Sequence, residues 1–558
     1  MSVVSVTDSS QSWPHIGRAN TAMARALARL RQTVFLTRDE LIATVNMKGR
    51  SIFLIHQRGF MTAPPKILFI GLDAADPVLL AQGCDAGWLP VLQSLRRNGA
   101  WAQVKVPRGF GDGAIWPCLF TGVNPGQHGR YFYHQLKLGT YESDDFVQDT
   151  DYGHKPFWEY LSQAGRRVAV IDIVKGPHSK DINGIQISDW MVHGQERPSR
   201  SSPAKLASEI IARFGADPFN GTTDLFNQRT AEEYKTFRDA MIDRVHAKTS
   251  LCEHYLKQES WDLFMMSFGD AHDIGHQCWH LHDPSHALYD PRWVERFGDP
   301  VKDVYMALDS AIGRLLQCAG PQTTTVVFSG PGMDPAYSGN YLFDQILRRI
   351  DGRPDRDRNL VPHAIVSRLR PAALQKFGER INHAKHMYSM SRRKCYAVLH
   401  NESAGGIRIN VAGREPAGRV KPGAEYEAVC DSLTKDLLDL VNADTGKPVI
   451  KEVVRIADEC HGKRLETLPD LFAVWSRDAP IKAVTSPKIG IVTGTRESGA
   501  RTGDHNSDCM LYAQGPRVTR RGLIDPIKVE DIAPTIASLL EIALPDSDGV
   551  PIRFDMAN

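Results

Sequence analysis

The feature that most constrains the fold is a series of short, continuous apolar runs separated by helical patterns. Such runs are typical of strands that are buried on both faces, as in a parallel sheet. They lie at Lys66–Leu72, Arg167–Ile173, Asp262–Phe268, Thr324–Phe328 and Leu471–Trp475. Helical patterns lie between them, at Leu89–Asn98, Pro203–Phe214, Thr230–Gln258 and Val301–Cys318. The alternation predicts an α/β fold in which helices flank a mostly parallel sheet.

Changes in this rhythm divide the 558 residues into four predicted regions. Residues 1–63 lack the core periodicity and are predicted to be a poorly ordered N-terminal extension, since the first strand follows Met61. Residues 64–335 are predicted to be the first part of the core. Residues 336–464 break the alternation and are predicted to be an inserted subdomain, and residues 465–558 are predicted to be the C-terminal part of the core.

Composition excludes several classes of protein. The formal net charge is only +2, and no long basic run is interleaved with aromatic residues, so we expect no binding to a nucleic-acid polymer. No apolar run reaches the roughly 18 residues of a membrane-spanning helix, and no secretory pattern is found, so we expect no membrane association. Nine cysteines without a CxxC pair fit a reducing compartment, and we predict a cytoplasmic protein. The sequence leaves the oligomeric state open.

The strongest chemical signal is the segment Gly269–Asp283, which holds four histidines and three aspartates. His272 and His276 are four residues apart, so on a helix they share one face and can bind one cation. Neutral imidazole suits zinc, manganese or iron. The alternative is a solvated, histidine-rich turn. His280 and His282 are interpreted as outer or surface groups rather than ligands.

Two distant residues are candidates for the same site. His505 lies in a polar loop, Arg501–His505, and a histidine there could complete a three-histidine site. Asp73 follows the first strand, and polar residues at the carboxyl ends of parallel strands line the ligand crevice. A single aspartate after a strand is more often the N-cap of the next helix, so that reading also stays open.

Several motifs, taken together, resemble one family. They are Ile70–Asp76, Leu89–Leu92 with Leu95 and Gly99, Trp116–Gly129, and Asp531–Thr535 with Asp548 and Gly549. In this order they resemble the type I phosphodiesterase/nucleotide pyrophosphatase branch of the alkaline phosphatase superfamily. The resemblance spans about residues 66–335 and 465–552. It implies an alkaline phosphatase-like sheet with an inserted subdomain.

The resemblance also implies a metal site, in which the family holds two ions beside a Ser or Thr nucleophile. The positions of the first ion match His272, His276 and His505, where histidine replaces the usual first aspartate. The second ion would be held by Asp73, by the nucleophile and by a later block. That block reads Ser329-Gly330-Pro331-Gly332, which lacks ligating side chains where the family has Asp and His. We therefore expect one divalent transition-metal ion, zinc first and manganese second.

The residue at the nucleophile position, four residues before Trp116, is Asp112. It could be a metal ligand, a general base toward a water molecule or, less favoured, a carboxylate nucleophile. The predicted function is metal-dependent hydrolysis of a phosphodiester or phosphomonoester bond in a small molecule by metal-activated water. The alternatives are a binding protein that has lost catalysis, and a phosphomutase. Arg408, Asn410 and Arg414 could hold an anionic or sugar group of a substrate, or could be solvated loop residues.

Overall fold

The computed structural model describes residues 66–554 apart from 146–151, 193–197, 220–222, 224–228, 354–385, 402 and 495–500. It also describes the backbone of Thr33–Leu36, Leu41–Met47 and Arg50–His56.

A ten-stranded sheet forms the centre of the chain, and Ile67–Asp73 is one of its middle strands. This central strand runs parallel to Leu263–Phe268 on one side and to Thr324–Gly330 on the other. Cys509–Gln514 is antiparallel to both of its neighbours. The order of strands across the sheet is Arg200–Ser202, Gly184–Ser188, Val168–Ile171, Leu263–Phe268, Ile67–Asp73, Thr324–Gly330, Cys509–Gln514, Ala100–Lys105 and Gly522–Leu523, with Ile527–Lys528 also paired to Ala100–Lys105.

Helices cover both faces of this sheet because successive side chains of each strand point to opposite faces. Leu68, Ile70 and Leu72 belong to one apolar cluster, whereas Ile67 and Phe69 belong to the other. Helices that contribute to the first cluster are Pro77–Ala86, Pro90–Asn98, Leu206–Phe214, Ala231–Gln258, Asp270–His282 and Pro300–Ala319. Those that contribute to the second are Asp112–Thr121, Phe157–Gln163 and Ile532–Leu539. The prediction of an α/β fold with a mostly parallel, helix-flanked sheet is confirmed.

A smaller antiparallel sheet has its own apolar core. Its strands, in spatial order, are Cys395–Val398, Ala404–Ile409, Leu471–Trp475 and Ile450–Arg455. Helices Asn340–Ile350 and Ala424–Leu438 contribute to the same core. The apolar run Leu471–Trp475 was assigned to the region where the main core resumes, but it pairs within this smaller sheet. An apolar run identifies a buried strand without indicating which sheet buries it.

The shorter elements complete the chain. Met333–Pro335 pairs with Gly503–His505, His134–Leu136 pairs with Ser143–Asp145, and Ala483–Ser486 pairs with both Val441–Asn442 and Gly490–Thr493. Helices Pro125–His128, Pro291–Phe297 and Ile456–Glu459 are short. In the described part of the chain, no helix combines the length and the apolar character that crossing a bilayer requires.

Residues 1–62 form a separate compact unit. Its described backbone is a three-stranded antiparallel sheet, in which Leu41–Met47 pairs with both Thr33–Leu36 and Arg50–His56. The sequence analysis did not predict these strands. The rest of the predicted poorly ordered extension lies outside the described residues.

Candidate metal centre

Three histidines from two distant parts of the chain meet at the carboxyl edge of the main sheet. His272 and His276 lie on the helix Asp270–His282, which follows the strand Leu263–Phe268, and His505 ends the short strand Gly503–His505. The three ring centroids are 4.6, 4.6 and 4.7 Å apart, and all three side chains are buried. One ligand atom from each ring lies within 4.8 Å of the others.

The hydrogen bonds of two rings fix their tautomers. The Nδ1 atom of His272 lies 2.7 Å from Oδ2 of Asp73, and Nδ1 of His276 lies 2.8 Å from the carbonyl oxygen of Gly503. A carboxylate and a carbonyl only accept hydrogen bonds, so both Nδ1 atoms carry the proton. When both rings are neutral, their Nε2 atoms are lone-pair atoms, and these two atoms lie 3.1 Å apart.

This arrangement can accommodate a cation. Two nitrogen lone pairs at 3.1 Å repel each other unless a proton or a metal ion lies between them. Four-coordinate zinc, with Zn–N bonds of about 2.1 Å, needs ligand nitrogens roughly 3.4 Å apart. Three neutral imidazoles are a donor set suited to zinc and to other transition metals. The residues present therefore fit a transition-metal ion.

Asp73 lies beside the three-histidine centre and contacts one of its histidines. Oδ2 accepts a hydrogen bond from His272, and Oδ1 accepts one from the indole nitrogen of Trp116 at 2.8 Å. The group of possible ligand atoms found among the described residues consists of the three histidines without Asp73. A carboxylate on the far nitrogen of a ligating histidine raises its basicity and holds its ring. In this arrangement Asp73 can orient the ring of His272, and its role as a ligand stays a prediction.

Close packing at glycines brings the elements of the centre together. A Cβ atom at Gly503 would lie 2.4 Å from the carbonyl oxygen of Gly275, so only glycine lets this strand lie against the histidine helix. Thr502 N donates to the carbonyl oxygen of His276 at 2.7 Å, which ties the strand to the same turn. Arg477 donates to the carbonyl oxygens of Asp504 and His505 and fixes the end of the strand.

Asp112 begins the helix Asp112–Thr121, one turn before Trp116. Since Trp116 contacts Asp73, this helix brings Asp112 to the same edge of the sheet. Oδ2 of Asp112 lies 3.0 Å from Nζ of Lys175, and the two side chains are 12% and 19% exposed. Burial alone would lower the pKa of the Lys175 ammonium. The Asp112 and Asp73 carboxylates more than offset that effect, so the pKa is raised and the lysine is charged.

The other acidic and imidazole groups of the histidine helix have structural partners. Arg244, which is buried, lies 2.9 Å from Asp273 and 3.3 Å from Asp270. Nδ1 of His280 lies 3.0 Å from the hydroxyl of Thr502, and burial lowers the pKa of His280 to about 4. His282 lies 2.7 Å from Asp299. His280 and His282 thus lie outside the ligand group, in agreement with their interpretation from the sequence.

The family match covers most of the sequence. The model of the type I phosphodiesterase / nucleotide pyrophosphatase family matches residues 67–508. The chain belongs to this family. Membership identifies it as a phosphodiesterase- or pyrophosphatase-type hydrolase of unknown substrate, as the motifs had indicated.

Solved structures of similar proteins include murine ectonucleotide pyrophosphatase / phosphodiesterase 5 as an inactive variant in complex with AMP, at 13% identity and a TM-score of 0.45. The human protein of the same name is similar at 13% identity and a TM-score of 0.44. Each match covers 87% of this chain and 97% of the other. A comparison with curated proteins finds no match. The family assignment rests on the sequence match.

The structure shows the partners of three candidate substrate residues of this family member. Arg408 pairs with Glu415 at 2.8 Å, and Arg414 pairs with Asp470 at 2.7 Å. The amide nitrogen of Asn410 donates to the carbonyl oxygens of Met390 and Arg393. All three groups thus have partners within the smaller sheet and its loops; Arg408 and Asn410 are buried, whereas Arg414 is a loop residue with a partly exposed side chain.

Sequence reasoning missed Lys175 and the donor role of Trp116. Lys175 follows the strand Val168–Ile171, so the rule that placed Asp73 at the carboxyl edge of the sheet could have identified it. Trp116 lies in a recognised motif, but its hydrogen bond to Asp73 depends on the packing of a helix on a strand. No local pattern encodes that contact.

Proposed function

We propose that this chain is a metal-dependent hydrolase of phosphodiester or phosphomonoester bonds in small molecules. One divalent transition-metal ion, zinc or alternatively manganese, binds at His272, His276 and His505. The observation that carries the proposal is the pair of Nε2 lone pairs that face each other at 3.1 Å while both Nδ1 protons are donated elsewhere. A buried site of this kind is stable only with a cation.

The ion, when bound, supplies a Lewis acid that polarises a phosphoryl oxygen and lowers the pKa of water. The protein supports that chemistry from outside the ligand triangle. Asp73 and the Gly503 carbonyl hold the rings of His272 and His276 so that Nε2 faces the site. Trp116 in turn holds Asp73. The histidines are buried, so the site strengthens electrostatic interactions with an anionic ester.

Asp112 is the acidic group that we assign to turnover. It occupies the place where the resemblance implies a hydroxyl nucleophile, and it keeps part of its side chain exposed. A carboxylate cannot reproduce the chemistry of a serine alkoxide, but it can accept a proton from water or contact the ion. Lys175 pairs with this carboxylate at 3.0 Å in a largely buried position.

The proposal is tested with the purified full-length chain, after chelation and after addition of zinc or manganese. We expect hydrolysis of bis-p-nitrophenyl phosphate or p-nitrophenyl phosphate with metal and none after chelation. Asp112→Asn should reduce that rate. If no ester is hydrolysed at any metal loading, the enzyme proposal is wrong. Phosphate binding without turnover would then favour the binding protein, and transfer between two phosphate positions of one substrate would favour the phosphomutase.

A further inference from the structure

Lys175 is a charged residue of the site that the family motifs do not include. It lies in the loop after the strand Val168–Ile171 and adopts a left-handed backbone conformation with φ 54°. Non-glycine residues rarely adopt this conformation, and they keep it where the surrounding structure enforces it. Here the hydroxyl of Tyr152 donates to the Lys175 carbonyl at 2.8 Å, and Gly176 N donates to Ile173 O. The loop thus directs the ammonium toward Asp112.

The hydrogen-bonding capacity of this ammonium exceeds what the protein uses. A lysine ammonium has three N–H donors. Among the described residues, Lys175 Nζ donates to Asp112 Oδ2 at 3.0 Å. The side chain as a whole is 19% exposed. The remaining donors can therefore bind an anionic oxygen.

A second buried lysine shows the contrast. Lys248 Nζ lies within 3.1 Å of the carbonyl oxygens of Met191 and Ser267 and of the Asp172 carboxylate, and its side chain is 1% exposed. Its three donors have three acceptors, which is the pattern of a structural lysine. Lys175 differs in both the number of acceptors and the exposure.

Lys175 lies where it can supply the positive charge that phosphoryl transfer needs. Asp73 lies near both the three-histidine centre and Lys175. It accepts a hydrogen bond from His272, and its carboxylate raises the pKa of the Lys175 ammonium. The transition state of phosphoryl transfer spreads negative charge over the equatorial oxygens, and cations on more than one side stabilise it. The block Ser329–Gly332 offers no side-chain ligands for a second ion at the positions where the family has Asp and His.

We propose that Lys175 binds a non-bridging oxygen of the substrate phosphate, which then lies between the ammonium and the three-histidine centre. Lys175 thereby provides the second positive charge of the site. The inference rests on the proposed function, and it adds the residue that recognises the phosphate group.

The test must separate Lys175 from Asp112, because removing the lysine alone leaves an unpaired carboxylate that would itself repel phosphate. The affinity for inorganic phosphate is therefore measured by calorimetry in Asp112→Asn and in the double variant Asp112→Asn/Lys175→Met, both loaded with zinc. We expect the double variant to bind phosphate at least about tenfold more weakly, the size expected for a charged hydrogen bond. Equal affinity in the two variants would overturn the proposal.

The second measurement is the hydrolysis rate of Lys175→Met and Lys175→Arg. Lys180→Met is the matched control, because Lys180 is exposed. We expect Lys175→Met to lower kcat/KM by about 10²–10³-fold, Lys175→Arg to retain part of it, and Lys180→Met to match the wild type. Zinc content should be unchanged in all three, and a parallel loss of zinc in Lys175→Met would overturn the phosphate role. If the wild type hydrolyses no ester, the proposed function fails, and the calorimetry alone decides the role of Lys175.

Discussion

At the scale of single residues, the site depends on which ring nitrogen of each histidine carries its proton. Asp73 and the Gly503 carbonyl accept from Nδ1 of His272 and His276, and this leaves both Nε2 atoms as potential ligands. The hydrogen bonds of Asp73 thus link the ring of His272 to Trp116.

The orienting role of Asp73 is tested with Asp73→Asn. An asparagine oxygen can still accept from His272, but it lacks the charge that makes the imidazole more basic. We expect the affinity for zinc to fall by about 10- to 100-fold, as measured by competition with a chromogenic chelator. Trp116→Phe removes the hydrogen bond from the indole nitrogen to Asp73 and should cause a smaller loss. A complete loss of zinc in Asp73→Asn would instead identify Asp73 as a direct ligand.

A second prediction concerns Asp112. Asp112→Asn should lower kcat by about 10²–10⁴-fold, the usual contribution of a general base, while zinc content and melting temperature stay close to the wild type. Asp112→Ser is the sharper variant, because it restores a hydroxyl at the position where the resemblance implies one. Higher activity in Asp112→Ser than in the wild type would show that Asp112 disables the enzyme, and would favour the binding protein.

The sequence could predict the parts of the site that local spacing or motifs encode. The pairing of His272 with His276 follows from helical spacing, and the motif order implied His505 and Asp112. The structure brings the three histidines together, whereas their roles as ligands stay predictions. Lys175 was not predicted: its place after the strand Val168–Ile171 could have identified it, but its contact with Asp112 joins a loop to a helix start far away in the sequence.

At the scale of elements, the centre depends on how closely the strand Gly503–His505 approaches the helix Asp270–His282. Gly503 permits that approach, since a Cβ atom there would meet the Gly275 carbonyl oxygen at 2.4 Å. A backbone oxygen cannot rotate away as a side chain can, so the strand itself would have to move. The alternation of strands and helices could be predicted from periodicity, but this contact could not.

Gly503→Ala tests how much the close contact between the strand Gly503–His505 and the helix Asp270–His282 matters. We expect a loss of stability of about 1–3 kcal/mol from overpacking, together with weaker zinc binding because His505 moves with the strand. Chemical denaturation of the metal-free protein measures the first effect, and a zinc titration of the folded variant measures the second. A variant with wild-type stability and wild-type zinc affinity would show that the strand can shift without cost.

At the scale of the whole molecule, the fold follows the predicted α/β pattern, and the exceptions are instructive. Leu471–Trp475 is a buried strand, as predicted, but it lies in the smaller sheet. Burial on both faces looks the same in either sheet, so the pattern cannot identify the partner. The predicted cytoplasmic location stays a prediction.

Residues 1–62 form a unit of their own, which leads to a prediction about truncation. A chain that begins at Met61 should fold with an unchanged melting temperature and bind zinc as the full chain does, because the site residues and both main apolar clusters lie after residue 65. Thermal denaturation of the two proteins side by side measures this. A large decrease in melting temperature would show that the N-terminal unit stabilises the rest of the chain.

The central claim is that His272, His276 and His505 hold one transition-metal ion, and the direct measurement is the metal content of the purified chain by plasma mass spectrometry. His276→Ala is compared with His282→Ala, a matched variant on the same helix whose histidine pairs with Asp299. We predict about one zinc or manganese ion per chain in the wild type and in His282→Ala, and most of it lost in His276→Ala. Two ions per chain, or a metal content that His276→Ala does not change, would contradict the claim.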